Sequence, residues 1–145
     1  MEIFFSPYII AAAVAWVTAQ AAKYVIRSIK GRSFRNLREL YLSGSMPSAH
    51  SATVVAVLVV IGFKDGIGSA VFGLALLFAS VVMYDAMMVR RSSGEQGQSL
   101  TELIKEQKSK VRLPRVAKGH TPAEVFVGAL LGIAIGTFVS FITMQ

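Results

Sequence analysis

The sequence predicts an all-α integral membrane bundle of about four transmembrane helices, with a surface amphipathic helix in the third connection. Three observations carry that expectation. The 145-residue chain is 54% hydrophobic and only 16% charged, against roughly 25% charged residues in an ordinary soluble domain. Uncharged stretches occupy positions 3–22, 40–63, 67–84 and 125–145, each long enough as a helix to cross a hydrocarbon layer of about 30 Å. The charges between them are gathered into two basic segments. A soluble helical protein with a very apolar core is the competing reading, and four such stretches argue against it. The length suits one domain spanning 1–145.

The first span is expected over 7–27. Ala19-Gln20-Ala21 resembles a signal-peptidase site, but only Glu2 precedes the apolar run where a signal peptide carries positive charge. A retained helix is therefore expected. A connector follows with Arg27, Lys30, Arg32, Arg35 and Arg38 against Glu39. The second span, 47–63, opens at Pro47, a residue suited to a first helical turn, with Ser45 as its expected cap. Lys64-Asp65-Gly66 forms a short neutral turn into a third span over 67–89. The second basic segment, 90–119, holds eight Lys or Arg against Glu95, Glu102 and Glu106. Leu100, Leu103 and Ile104 give its middle an apolar face that predicts a helix on the membrane surface, broken by Pro114. The fourth span is expected over 121–143, opening at Thr121-Pro122.

A net charge of +7 could belong to a nucleic-acid binder. Basic residues confined to loops between apolar spans point to a membrane surface instead, so no nucleic acid is expected. Four crossings put both basic segments on one side, and the positive-inside rule makes that side cytoplasmic and both termini external. Cations that bind substrate would inflate that signal. The chain has no cysteine, which excludes disulfides and thiolate metal sites.

Three polar motifs interrupt the apolar pattern: Gly44-Ser45-Met46-Pro47-Ser48-Ala49-His50-Ser51, Tyr84-Asp85-Ala86-Met87-Met88-Val89-Arg90-Arg91 and Gly119-His120-Thr121-Pro122-Ala123-Glu124. With four crossings they converge on one membrane face. His120 and Glu124 are four apart and share a helical face. The carboxylate can hold one imidazole nitrogen and leave the other free to attack. His50 is a candidate general acid for a leaving group. Helix N-termini favour anions, and Lys23, Arg90, Arg91, Arg115 and Lys118 surround the same face with positive charge. Gly128, Gly132 and Gly136 continue the His120 stripe and allow close helix approach. These are the parts needed for phosphoryl transfer through a histidine. The bland alternatives are interfacial histidines in wet headgroups, a helix-cap pairing of His120 with Glu124, and an Arg90-Arg91 membrane anchor.

Pro47-Ser48-Ala49-His50 resembles the Pro-Ser-Gly-His motif of the type 2 phosphatidic acid phosphatase and vanadium haloperoxidase superfamily. His120 with Glu124 resembles its final motif, a nucleophilic histidine followed four residues later by aspartate. The fuller pattern is similar to a divergent branch, the acid phosphatase/vanadium-dependent haloperoxidase-related proteins, over nearly the whole chain. The resemblance implies a membrane phosphatase for lipid phosphates, phosphatidate-like or isoprenyl phosphate or diphosphate, working without a cofactor. It implies that His120 forms a phosphohistidine, Glu124 orients it, His50 protonates the leaving oxygen, and Ser48 with the Ala49 N–H holds phosphate oxygens. Asp85, with Glu124 or Glu95, is an alternative seat for Mg²⁺. The chain departs from the superfamily pattern in four places: Lys30-Gly31 stands where Arg-Pro is expected seven residues after Lys23, Pro114 where an arginine is expected, Ala49 for glycine, and Glu124 for aspartate. Those departures support a second reading, a non-catalytic membrane protein that binds anionic lipid or a partner. Membrane members of the superfamily have six helices, so a homodimer is the expected way to complete a four-helix unit. They usually work at the external face, against the loop charges here.

Overall fold

The computed structural model describes residues 6–31, 46–114, 116 and 119–143. Every regular element among them is helical: α1 (Pro7–Gly31), α2 (Ala49–Lys64), α3 (Ala70–Tyr84), a π-helical turn (Asp85–Val89), α4 (Arg90–Glu106) and α5 (Pro122–Ile142). The protein is a membrane helical bundle. Three helical stretches, Pro7–Ile29, Ala70–Glu106 and Pro122–Ile142, are long and apolar enough to cross a membrane. The 16-residue α2 is shorter, about 24 Å at 1.5 Å per residue, and it fills the centre.

Small residues decide how the bundle packs. Along α1, Ala11, Ala15 and Ala19 are wholly buried, one stripe at four-residue spacing. The next position on that stripe is Lys23, only 6% exposed. The other faces of α1 turn Ile9, Trp16, Val17 and Ile29 outward, as a lipid-facing surface requires. In α2 the buried stripe is Ala49, Ala52, Ala56 and Val60. The glycines of α5 lie against its backbone. A Cβ at Gly128 would meet the Ser48 carbonyl, one at Gly132 the Ala52 carbonyl, and one at Gly136 the Ala56 carbonyl, at 2.5, 2.5 and 2.6 Å. The register advances by four residues on each helix, so α2 and α5 run parallel. Without a hydrophobic driving force between helices in lipid, such close backbone approach is what holds spans together.

The far ends confirm the directions. Tyr8 near the start of α1 donates to Asp65 after the end of α2 (2.6 Å), and Lys64 donates to the Thr143 carbonyl after α5 (2.7 Å). Lys23, Ser48–His50, Asp85–Arg90 and His120–Glu124 therefore gather at the opposite end. α3 returns antiparallel to α2 through a turn in which Gly66 takes φ 85°, a conformation open to glycine.

Several boundaries differ from expectation. Ser48 rather than Ser45 caps α2, its Oγ accepting from the Ser51 N–H and O–H (3.4 and 3.0 Å), so the helix starts two residues after Pro47. Ser45 itself lies outside the described residues. α3 starts at Ala70 because Ser69 caps it through the Phe72 N–H (3.1 Å). The third span does not stop at Val89. The helical path continues without a break through the π turn into α4, 37 residues in all, about 55 Å along its path, and α4 carries the expected apolar face of Leu100, Leu103 and Ile104. Pro114 does not end it either. Lys108 enters the left-handed region (φ 47°), the Ser109 N–H bonds the Ile104 carbonyl and the Lys108 N–H the Lys105 carbonyl (both 3.1 Å), a Schellman closure.

Candidate active site

The site begins with a helix cap. Thr121 is the N-cap of α5 and Pro122 follows at its first position. The Thr121 hydroxyl accepts from the Glu124 N–H (3.3 Å), and Glu124 Oε2 accepts from the Thr121 N–H (3.0 Å), a reciprocal capping box. The same Oε2 lies 3.1 Å from His120 Nδ1. The cap and the histidine pairing, alternatives at the level of sequence, are one arrangement: the cap fixes the carboxylate and the carboxylate fixes the ring. With Nδ1–H donating to the carboxylate, a neutral imidazole carries its lone pair on Nε2. Burial pushes the His120 imidazole below its ordinary value. The Glu124 hydrogen bond and charge draw it part of the way back, while Lys23 and Arg90 push it further down. His120 is thus held neutral, the form that can attack.

The π turn, Asp85–Val89, supplies the second fixture. Within it the Arg90 N–H reaches back five residues to the Asp85 carbonyl, where an α-helix would direct it to Ala86. The Ala86 carbonyl accepts from the His120 N–H (2.9 Å). Single π turns inside α-helices recur at functional sites for this kind of re-aiming. Gly119 makes the docking possible, since a Cβ there would fall on the backbone of Arg91, 2.5 Å from its Cα. Gly119 before His120 and a small residue at position 86 were the available signals. A third bond, from the Ser48 N–H to the Glu124 carbonyl (3.0 Å), ties the start of α2 to that of α5.

Around His50 lies a cavity of about 310 Å³ lined by His50, Val81, Val82, Asp85, Ala86 and Arg90. Asp85 Oδ2 accepts from Arg90 Nε at 2.7 Å, with both side chains partly exposed. The five-residue separation of this pair follows the widened turn between them. The charges of Arg90, His120, Lys23 and Asp85 all act on His50, and those of Glu124, Lys23 and Arg90 act on His120. The two histidines, Lys23, Asp85, Arg90 and Glu124 thus share one electrostatic neighbourhood at one end of the bundle.

Other expected site residues are placed differently. Ser48 is wholly buried with its hydroxyl engaged in the α2 cap, and Ala49 is 2% exposed beneath it. Arg91 pairs with Glu95 (3.2 Å) and lines a separate cavity of about 380 Å³ with Met87, Met88, Ser92, Glu95 and Pro122, so the adjacent arginines serve different spaces. Arg115 and Lys118 lie outside the described residues. The carboxylates considered for Mg²⁺ each hold another group: Asp85 holds Arg90, Glu95 holds Arg91, and Glu124 holds His120 and Thr121. No cluster of three or more His, Cys, Asp or Glu occurs among the described residues.

Residues 4–135 match the family described as Divergent PAP2 family. The Bacillus subtilis (strain 168) uncharacterized membrane protein YuiD is 29% identical over 159 residues, covering 99% of this chain and 100% of that protein. No solved structure matches.

Proposed function

The chain belongs to the Divergent PAP2 family, and from that premise we propose that it is a lipid phosphate phosphatase acting through a phosphohistidine at His120. The observation that carries the reading is the 3.1 Å pairing of His120 Nδ1 with a carboxylate already fixed by a capping box. His120 Nε2 attacks phosphorus, and the bond to the leaving oxygen breaks as His50 protonates it. Water then attacks the phosphohistidine and releases phosphate, its proton passing to His50. Lys23 and Arg90 balance the phosphate charge, and first-turn N–H groups of α2 and α5 favour anions. A polar end at the limit of apolar helices suits a substrate with its phosphate in water and its tail in lipid, phosphatidate-like or isoprenyl.

No metal takes part in this scheme, so chelation by EDTA leaves turnover unchanged. The site faces the cytoplasm, because the basic residues of the sequence are gathered in the segments 27–45 and 90–119 between the apolar spans, and both termini face the other side. Two copies complete the bundle as a homodimer, and cross-linking of the purified protein in detergent micelles tests that. The deciding assay is phosphate release by purified protein across a lipid phosphate panel. The wild type turns over a member of the panel, His120→Ala abolishes turnover without loss of fold, and His50→Ala slows it by about 10²–10⁴-fold. Turnover surviving in folded His120→Ala overturns the mechanism.

One observation favours the second reading, a binding protein with a degenerate site. His120 is 3% exposed and does not line the His50 cavity. That reading predicts saturable binding of lipid phosphates with no release of phosphate by the wild type.

A further inference from the structure

The cavity beside His50 holds a carboxylate as well as a cation. The charged groups of its lining are Arg90 and Asp85, one cation and one carboxylate, which offset each other. That is an unusual balance for a place meant to hold an anion. Glu124 is accounted for, since it orients His120. Asp85 has no part in the chemistry proposed above. It lines the cavity with His50 and Arg90, and its Oδ2 holds Arg90 Nε at 2.7 Å.

The consequence follows from the geometry of the guanidinium. An arginine has five N–H donors, and the bond to Asp85 consumes the one on Nε. The terminal nitrogens remain, a fork that grips two oxygens of one phosphate. The carboxylate that orients this fork also lies in the same cavity of about 310 Å³. A second phosphate there must sit close to Asp85, and like charges at short range in a partly desolvated site repel strongly.

We propose that Asp85 and Arg90 form a selectivity clasp that admits the head of a lipid monophosphate and rejects a lipid diphosphate. The clasp rests on the reading of the site as a lipid phosphatase and narrows its substrate to monophosphate esters. Asp85 acts through Arg90 and through its own charge. It is a positioning and selectivity residue, and it neither gives nor takes a proton in the reaction.

The test compares an isoprenyl monophosphate with the diphosphate of the same tail. Wild-type protein turns over the monophosphate with kcat/KM at least tenfold higher. Asp85→Asn keeps an acceptor for Arg90 Nε and removes the charge, and it shifts the ratio toward the diphosphate by about tenfold, chiefly through a lower KM for the diphosphate. Asp85→Glu keeps the charge and keeps the wild-type ratio. A wild type that prefers the diphosphate, or an Asp85→Asn ratio equal to wild type, overturns the clasp. Binding of both compounds to His120→Ala protein, read by native mass spectrometry with and without Asp85→Asn, separates the two claims. If no phosphate is released by any form but the binding ratio still shifts with Asp85→Asn, the phosphatase reading fails and the clasp stands. If the binding ratio does not shift, the clasp fails.

Discussion

Gly132 offers a direct measure of how the bundle is held. Replacing it with alanine places a Cβ 2.5 Å from the Ala52 carbonyl, 2.9 Å from Val55 Cβ and 3.1 Å from the Ala56 nitrogen. Two of these are backbone atoms of α2 and cannot rotate away, so α5 must withdraw by close to an ångström at its centre. A gap of 0.5–1 Å forfeits about a quarter to a half of the dispersion energy at each affected contact. Overpacking of this kind costs roughly 1–3 kcal/mol, while removing a helical glycine returns up to about 1 kcal/mol. The net expectation is a loss of about 1–2 kcal/mol. Gly73→Ala in α3 is the matched control, because its Cβ meets nothing within 4 Å, and it leaves stability unchanged or slightly raised. The assay is equilibrium unfolding in mixed micelles of increasing denaturing detergent, followed by helical circular dichroism. Superimposable curves for Gly132→Ala and Gly73→Ala would refute the claim that glycine-mediated backbone approach holds α2 against α5.

Three further outcomes follow from the site. The neutral form of His120 persists below its ordinary titration range, so the acid limb of kcat/KM falls below pH ~6.5; Lys23→Met removes a charge that favours the neutral ring and moves that limb to higher pH. An acid limb that is unmoved by Lys23→Met contradicts the shared electrostatic neighbourhood. Gly119→Ala drives a Cβ into the Arg91 backbone and lifts His120 off the Ala86 carbonyl, lowering kcat by about 10²-fold, the penalty of roughly 1 Å misplacement, with the helical spectrum retained. Tyr8→Phe removes the Asp65 bond at the far end and leaves kcat/KM within about twofold; a larger change would show that the two ends are coupled.

The sequence carried the bundle because lipid imposes a coarse rule: uncharged stretches of sufficient length must be helices. It carried the His120–Glu124 pairing because a four-residue spacing beside Thr121-Pro122 is local information. It did not carry the π turn at Asp85–Val89. A bulge of this kind is settled by what its carbonyls meet, here the His120 N–H from 34 residues further along the chain, and no local pattern encodes that. The end of α4 has a related cause. Pro114 is a strong breaker, yet the helix closes earlier because Lys108 adopts a conformation usually left to glycine. Arg90 and Arg91 looked equivalent as neighbours. On a helix adjacent residues diverge by about 100°, so one faces His50 and the other pairs with Glu95. Ser48, expected at phosphate on the strength of its motif, also caps α2, where its Oγ accepts from the Ser51 N–H and O–H.

The most direct test of the account is to trap the covalent intermediate. Protein mixed with a turned-over lipid phosphate and quenched in alkali is digested and mapped by mass spectrometry. The account predicts a phosphoryl group on His120, stable in base and lost in acid, absent from His120→Ala and accumulating when His50 is replaced in a way that slows the water step. Phosphate release with no adduct on His120, or an adduct on another residue, would contradict it.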